Sequence, residues 1–195
     1  MLMRIWIAAA LLLAACSTTS VKDTWKDPAH AGPPAKQVLV VGVIKGDANR
    51  RVFEDSFSSA LSATGSRGVA SYATLPDVSA GVTNARLVAA MKQANADAVL
   101  VTRVLRVRRD VSVTPGFGHT GFYGRGFGGW YGGAMSAPDV DVYDVLTVES
   151  TLWNMNADKP IWSGTSEVTE PGSVAKATQD LSKALIAKMK ADGVI

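Results

Sequence analysis

The hydrophobic positions change their period along the chain, and these changes predict its secondary structure. Residues 37–45 form a nearly continuous β-branched run, which is typical of a strand covered on both faces. Residues 49–63 and 83–96 carry apolar side chains at helical spacing, and Thr83 is suited to cap the second helix. A short strand is expected between these helices, around residues 69–72.

Strand patterns dominate the second half of the chain. Residues 98–113 begin fully apolar and then alternate, residues 139–153 alternate again, and residues 160–168 are predicted to pair with them. A last helix is expected to begin near Pro171. The order β-α-β-α-β-β-β-α predicts a single α/β domain, in which two right-handed crossovers give three parallel strands and an antiparallel meander extends them. We expect a mixed sheet of about five strands with helices packed on it.

The first fifteen residues have the composition of a secretory signal peptide. Arg4 is followed by an apolar stretch over residues 5–15 that ends in small side chains. This stretch is shorter than the about 20 residues that a membrane-spanning helix needs. Residues 1–15 are therefore predicted to be removed.

The end of this signal, Leu13-Ala14-Ala15-Cys16, resembles a bacterial lipobox. The resemblance implies cleavage between Ala15 and Cys16, attachment of diacylglycerol to the thiol, and acylation of the new amine, for example with palmitate. Each buried lipid CH₂ contributes about 0.8 kcal/mol, so several acyl chains give a stable membrane anchor. Cys16 is the only cysteine, which leaves no thiol for a disulfide or a CxxC pair. By resemblance to Gram-negative sorting rules, Ser17 implies the outer membrane, with the domain facing the periplasm.

Residues 16–36 are rich in Ser, Thr, Pro and charge, and this composition predicts a flexible tether between the lipid and a domain at residues 37–195. Val21 and Trp25 are exceptions. They either dock the end of the tether on the domain, as an edge strand, or Trp25 contacts a membrane interface or a partner. Docking is favoured, because a lone tryptophan is a weak interface signal.

The charge balance does not indicate a nucleic-acid partner. The chain has 20 basic and 17 acidic side chains, and cleavage of the signal removes only Arg4. Four arginines cluster in one strand; alternation places Arg106 and Arg108 on one face and Arg103 and Arg109 on the other. Carboxylates of the neighbouring strand are the expected partners, namely Asp139, Asp141 or Asp144.

No motif predicts a catalytic, metal or cofactor site. GxGxxG occurs twice between residues 116 and 129, but it joins two strands and lacks the following helix that a dinucleotide site needs. The aspartates at 139, 141 and 144 do not converge with His119, and neither His119 nor His30 is placed to serve a catalytic triad. Polar positions on exposed strand faces account for three further carboxylates, Glu149, Glu167 and Glu170. We expect no cofactor, no metal and no enzymatic activity.

Residues 115–138 contain no Val, Ile or Leu but are rich in glycine and aromatic side chains. Roughly 24 residues is long for a connection between strands, and such loops are usually functional or disordered. Two interpretations stay open: a low-complexity insert, or a segment that orders against an envelope protein or on the sugar rings of peptidoglycan. The candidate contact residues are Phe117, Phe122, Tyr123, Phe127, Trp130 and Tyr131.

Several segments along the chain, among them TWKDP, GPPAKQVLVVGV, RRVFEDSF, ADAVLVTRV and IWSGTSE, together resemble a family of uncharacterised Gram-negative bacterial lipoproteins. The order of elements is also similar to small periplasmic domains, such as the amino-terminal domain of the Tol translocation protein and the penicillin-binding-protein activator lipoproteins. These similarities imply a membrane-anchored, non-catalytic interaction or assembly module. A peptidoglycan-binding module is the alternative, and an envelope hydrolase is a distant third.

Replacing Cys16 with serine removes the atom that carries the thioether. The Cys16→Ser chain is therefore expected to lose all incorporation of a labelled palmitate analogue in growing cells, whereas the unmodified chain incorporates it. Equal labelling of both chains, or none in either, would contradict the predicted anchor.

Overall fold

The computed structural model describes residues 19–78, 82–114, 139–154 and 159–195. Within these ranges the chain forms the predicted sequence of elements, preceded by one additional strand. The elements are β1 (Thr19–Lys26), β2 (Gln37–Val43), α1 (Asp47–Ser62), β3 (Arg67–Ala70), α2 (Asn84–Gln93), β4 (Ala98–Thr114), β5 (Asp139–Asn154), β6 (Lys159–Thr169) and α3 (Val174–Ala191).

The strands form one mixed sheet in the order β1-β6-β5-β4-β2-β3. Strands β3, β2 and β4 are parallel, and β4, β5, β6 and β1 are antiparallel. The single α/β domain, its parallel trio and its antiparallel meander are therefore confirmed, with six strands in the sheet. Thr83 caps α2 as expected, whereas Ser173 caps α3, which begins three residues after Pro171.

The sixth strand lies where we expected a flexible tether. β1 pairs with β6 at the edge of the sheet, and the partly buried side chain of Val21 packs against the core. Beyond β1 the backbone stays attached: Asp27 N–H donates to Ile161 O at 3.0 Å, and Ala35 N–H donates to Val194 O at 2.9 Å. The favoured interpretation, in which the end of this segment docks on the domain as an edge strand, is confirmed from Thr19 onward, because these ladder and loop hydrogen bonds fix the segment to the domain.

Two carboxylates near the far end of β1 have pKa values below their usual range. Lys159 Nζ lies 2.6 Å from Asp27 Oδ2, and this hydrogen bond is the largest factor that lowers the pKa of Asp27. Burial raises the pKa of Asp192, but hydrogen bonds from Trp162 Nε1 at 2.8 Å and Lys188 Nζ at 3.2 Å bring the net pKa below its usual value. Their contribution to stability is present above the unfolded-state pKa and is lost as pH falls through the folded-state value.

The sheet separates two hydrophobic cores of unequal extent. Helices α1 and α3 cover one face, where Phe57, Leu185 and Trp162 are fully buried. The shorter α2 covers part of the other face, where Met91 packs with Leu39 and Val99. No helix in the described part of the chain is long and apolar enough to span a bilayer.

A β-bulge changes the face of the sheet on which the later arginines of β4 lie. The register of β4 against β5 shifts between Val104 and Arg106. After the shift Arg106 pairs with Thr147, while Arg103 before it pairs with Glu149, and Thr147 and Glu149 lie on the same face of β5. Arg103 therefore shares the α2 face with Arg106 and Arg108, and the expectation that it shares a face with Arg109 is wrong.

A buried ion pair joins α1 to the carboxyl ends of β2 and β3. Glu54 is 0 % exposed and accepts from Arg50 Nε at 2.7 Å, Gly42 N–H at 3.0 Å, Ser71 Oγ at 2.8 Å and Tyr72 N–H at 2.8 Å. Arg50 also donates to Ser71 Oγ at 2.9 Å and to Pro76 O at 3.2 Å. Because four donors satisfy the carboxylate, this pair holds three segments in one arrangement.

Replacing Glu54 with glutamine keeps its shape but leaves the buried Arg50 without its counter-charge. We expect the free energy of unfolding to fall by about 3 kcal/mol, measured by urea denaturation. Glu167→Gln is the matched control, because Glu167 pairs with Lys22 at the surface, and it should change stability far less. Equal effects of the two substitutions would contradict this structural role of Glu54.

Candidate functional site

An open groove of about 1050 Å³ lies on the α2 face of the sheet. Helix α2 forms one side of it with Leu87 and Asn84, and β1 forms the other side with Trp25. Within the described residues, no helix packs on this face over β5, β6 and β1, and the groove occupies that space. Its volume is at the upper end of the range for small-molecule pockets, which favours a large or extended occupant.

The floor of the groove is a cross-strand row of side chains no larger than valine, with a tryptophan at one end. Val41 pairs with Val101, Val101 with Thr151, Thr151 with Ser163, and Ser163 with Trp25. Five strands at about 4.8 Å spacing make this row roughly 19 Å wide. The four side chains beside Trp25 are all smaller than its ring, so the floor lies low next to Trp25.

Two tryptophans line the groove. Trp25 is 48 % exposed, although it belongs to a paired strand. Trp153 is half-buried, and its ring packs against the smaller hydrophobic cluster. Large aromatic rings with a free face provide wide contact area with few rotatable bonds, and they are enriched at binding hot spots.

An ion pair between neighbouring side chains of β4 and β5 forms part of the groove lining. Arg103 Nε lies 2.6 Å from Glu149 Oε2, and both side chains are part of the lining. The guanidinium group keeps further N–H donors, and the carboxylate keeps lone pairs, so both can also hydrogen-bond an occupant. The groove thus combines apolar rings with a small number of polar groups, as recognition sites do.

A second cavity of about 230 Å³ lies on the opposite face, between the start of α3 and the sheet. Its walls are mainly aliphatic, with Leu146, Val148 and Leu181 among them. It offers fewer groups for oriented recognition than the groove. We therefore take the groove as the candidate site.

The predicted contact residues in the glycine-rich and aromatic segment are not part of this site as described. Phe117, Phe122, Tyr123, Phe127, Trp130 and Tyr131, together with Ala15 and Cys16, lie outside the described residues. Their roles stay predictions. Trp25 is the one residue considered as a contact from sequence that lines the groove. Trp153 was not singled out, since its sequence context is that of an ordinary strand.

Three of the carboxylates that we considered for chemistry take part in ion pairs. Asp144 accepts from Arg109 Nε at 3.3 Å, Glu149 pairs with Arg103, and Glu167 pairs with Lys22 at 3.0 Å. The hydrogen bond from Lys22 is the largest factor that lowers the pKa of Glu167. Among the described residues, no three His, Cys, Asp or Glu side chains come close enough to hold a metal ion.

Comparisons with known proteins give structural similarity at low sequence identity. No protein-family model matches the chain, and no curated protein matches it. A variant of the PelC dodecamer from Paraburkholderia phytofirmans is similar with a TM-score of 0.47 and 17 % identity, over 86 % of this chain and 95 % of that chain. Lipoprotein GNA1162 from Neisseria meningitidis is similar with a TM-score of 0.41 and 16 % identity, over 80 % and 98 %. At these values the similarity assigns neither an activity nor an assembly to this chain.

The Arg103–Glu149 pair is exposed, and we expect it to contribute little to folding. Arg103→Gln and Glu149→Gln should each change the free energy of unfolding by less than about 1 kcal/mol in urea denaturation. The double substitution is the control for coupling between the two groups. A loss of several kcal/mol in either variant would show that the pair is needed for the fold and is not available to an occupant.

Proposed function

We propose that this chain is a lipid-anchored protein of the bacterial envelope that binds another envelope component in the α2-face groove and catalyses no reaction. The observation that carries the proposal is the open groove with the exposed ring of Trp25 at one side. The lipobox-like segment ending at Cys16 supports the anchor, and Ser17 supports the outer membrane with the domain in the periplasm.

The groove is suited to bind a protein segment. It is roughly 19 Å wide, which is enough for an extended chain or a helix lying on the sheet face. Binding would remove the exposed part of Trp25 from water, and apolar burial contributes about 25 cal/mol per Å². Asn84, Arg103 and Glu149 lie along the lining, where they can hydrogen-bond the backbone of such a segment.

The polar groups of the groove favour binding over catalysis. General acid–base chemistry needs a group whose proton affinity is matched to the reaction and which can reach the substrate. Glu149 forms an ion pair with Arg103, and the described part of the lining contains no histidine or cysteine. Hydrolysis of glycosidic bonds commonly uses two facing carboxylates, and Glu149 is the only carboxylate among the described residues that line the groove.

Peptidoglycan or another glycan is the second candidate occupant. The specific observation in its favour is the pair of tryptophans, Trp25 and Trp153, in a groove that also holds charged and amide side chains. Sugar rings commonly stack on flat aromatic rings while their hydroxyls hydrogen-bond such groups. The aromatic side chains of residues 115–138 stay predicted contacts for either occupant.

A bulky substitution on the groove floor distinguishes binding in the groove from a purely structural role of this surface. Ser163→Trp places a large ring on the floor beside Trp25, and Ser59→Trp places the same ring on the exposed side of α1. We expect crosslinked co-purification from intact envelopes to recover a specific protein with the unmodified chain and with Ser59→Trp. Ser163→Trp should recover less than a tenth of it, because its ring occupies the site.

The same three chains test the glycan alternative in sedimentation with purified peptidoglycan. Co-sedimentation that Ser163→Trp abolishes and Ser59→Trp retains would favour the glycan. Equal recovery of all partners by both tryptophan variants would contradict the groove as the binding site. Circular dichroism of each variant controls for folding.

A further inference from the structure

Strands β4 and β5 continue as a two-stranded ribbon beyond the rest of the sheet. The last pair between β5 and β6 is Val145 with Thr169, whereas β4 and β5 stay paired from Arg109–Asp144 to Thr114–Asp139. These six further pairs extend roughly 20 Å at the usual rise of a strand. We call the paired residues 107–114 and 139–146 the ribbon; its base, at residues 107–108 and 145–146, still lies beside β6.

The ribbon exposes aliphatic side chains to solvent. Val107 is 61 % exposed, Val111 57 % and Val142 58 %. Val111 and Val142 are directly paired, and Val107 lies on the same face because it pairs with Leu146, four residues from Val142. Nothing in the described part of the chain packs over these three valines. The exposed Arg109–Asp144 ion pair lies on this face between Val107 and the Val111–Val142 pair. Exposed aliphatic residues on both sides of it indicate a surface that a membrane or another molecule covers.

The predicted lipid attachment site lies at this same end of the molecule. Thr19 pairs with Val168, Val168 with Leu146, and Leu146 with Val107, so the start of β1 is level with the base of the ribbon. Cys16 precedes Thr19 by three positions, a span of at most about 10 Å. A bilayer that holds acyl chains on Cys16 is therefore within reach of a ribbon that extends farther in the same direction.

Contact of the ribbon with a membrane depends on its apolar side chains and not on its net charge. The ribbon contains Arg108 and Arg109 but also four carboxylates, at Asp110, Asp139, Asp141 and Asp144. Its charge gives no net attraction to anionic lipids, so contact has to come from the valines. Burying one valine contributes about 1.5 kcal/mol, which is too little to recruit the protein but enough to orient a domain that is already anchored.

We propose that the face of the ribbon carrying Val107, Val111 and Val142 rests in the lipid surface and sets the orientation of the anchored domain. This inference rests on the proposed lipid anchor at Cys16. Trp25 lies at the opposite end of β1, so this orientation directs the far part of the groove away from the bilayer.

Single-cysteine labelling tests the orientation directly, because lipidation blocks the thiol of Cys16. The lipidated chain with Val111→Cys or Val142→Cys carries an environment-sensitive fluorophore and is reconstituted in phosphatidylcholine vesicles with spin-labelled lipids. Ser59→Cys is the control; its neighbour Ser58 packs on Gly68, which pairs with the start of β2 at the other end of the sheet. We expect a blue-shifted emission and at least twofold stronger quenching at positions 111 and 142 than at 59.

Equal, weak quenching at all three positions would overturn the proposal while leaving the anchor intact. A blue shift that rises with protein concentration, without lipid quenching, would assign the valines to a second copy and also overturn it. Mass spectrometry of the N-terminal peptide distinguishes these results from failure of the anchor itself, since a chain without acyl groups on Cys16 removes the basis of both proposals.

Discussion

The pairing of β4 with β5 is the constraint on which the rest of the structure depends. It joins the parallel half of the sheet to the antiparallel half and runs from Ala98–Asn154 to Thr114–Asp139. At its end near Ala98 the pair contributes side chains to both hydrophobic cores. At its other end it continues beyond β6 as the ribbon. The bulge between Val104 and Arg106 divides these parts and brings Arg106 to the same face as Arg103, which lines the groove.

The groove follows from unequal cover of the two faces. Helices α1 and α3 bury one face, while the ten residues of α2 leave the other face open beside it. The buried Arg50–Glu54 pair links α1 to the ends of β2 and β3, and its polar groups find their hydrogen-bond partners within the domain. It therefore serves the fold, and the exposed groups of the groove are left for recognition.

The order of elements could be predicted from sequence because it follows from local periodicity, as with Phe53 and Phe57 in α1 or the β-branched run of β2. Docking of the segment around Val21 and Trp25 as an edge strand could be predicted, but the bounds of β1 could not, because its eight residues alternate weakly among charged side chains. The groove could not be predicted, because it depends on cross-strand register and on which face lacks a helix. Trp25 and Trp153 are far apart in the sequence, and only the sheet brings both to one surface.

The central claim is that the α2 face is the recognition surface. A photo-crosslinking amino acid at position 151, on the groove floor, tests it most directly in intact cells, with position 183 on the exposed side of α3 as the reference. The account predicts a discrete crosslinked product from position 151 and none from position 183. The same products from both positions, or none from 151 while the ribbon crosslinks to a protein, would contradict it.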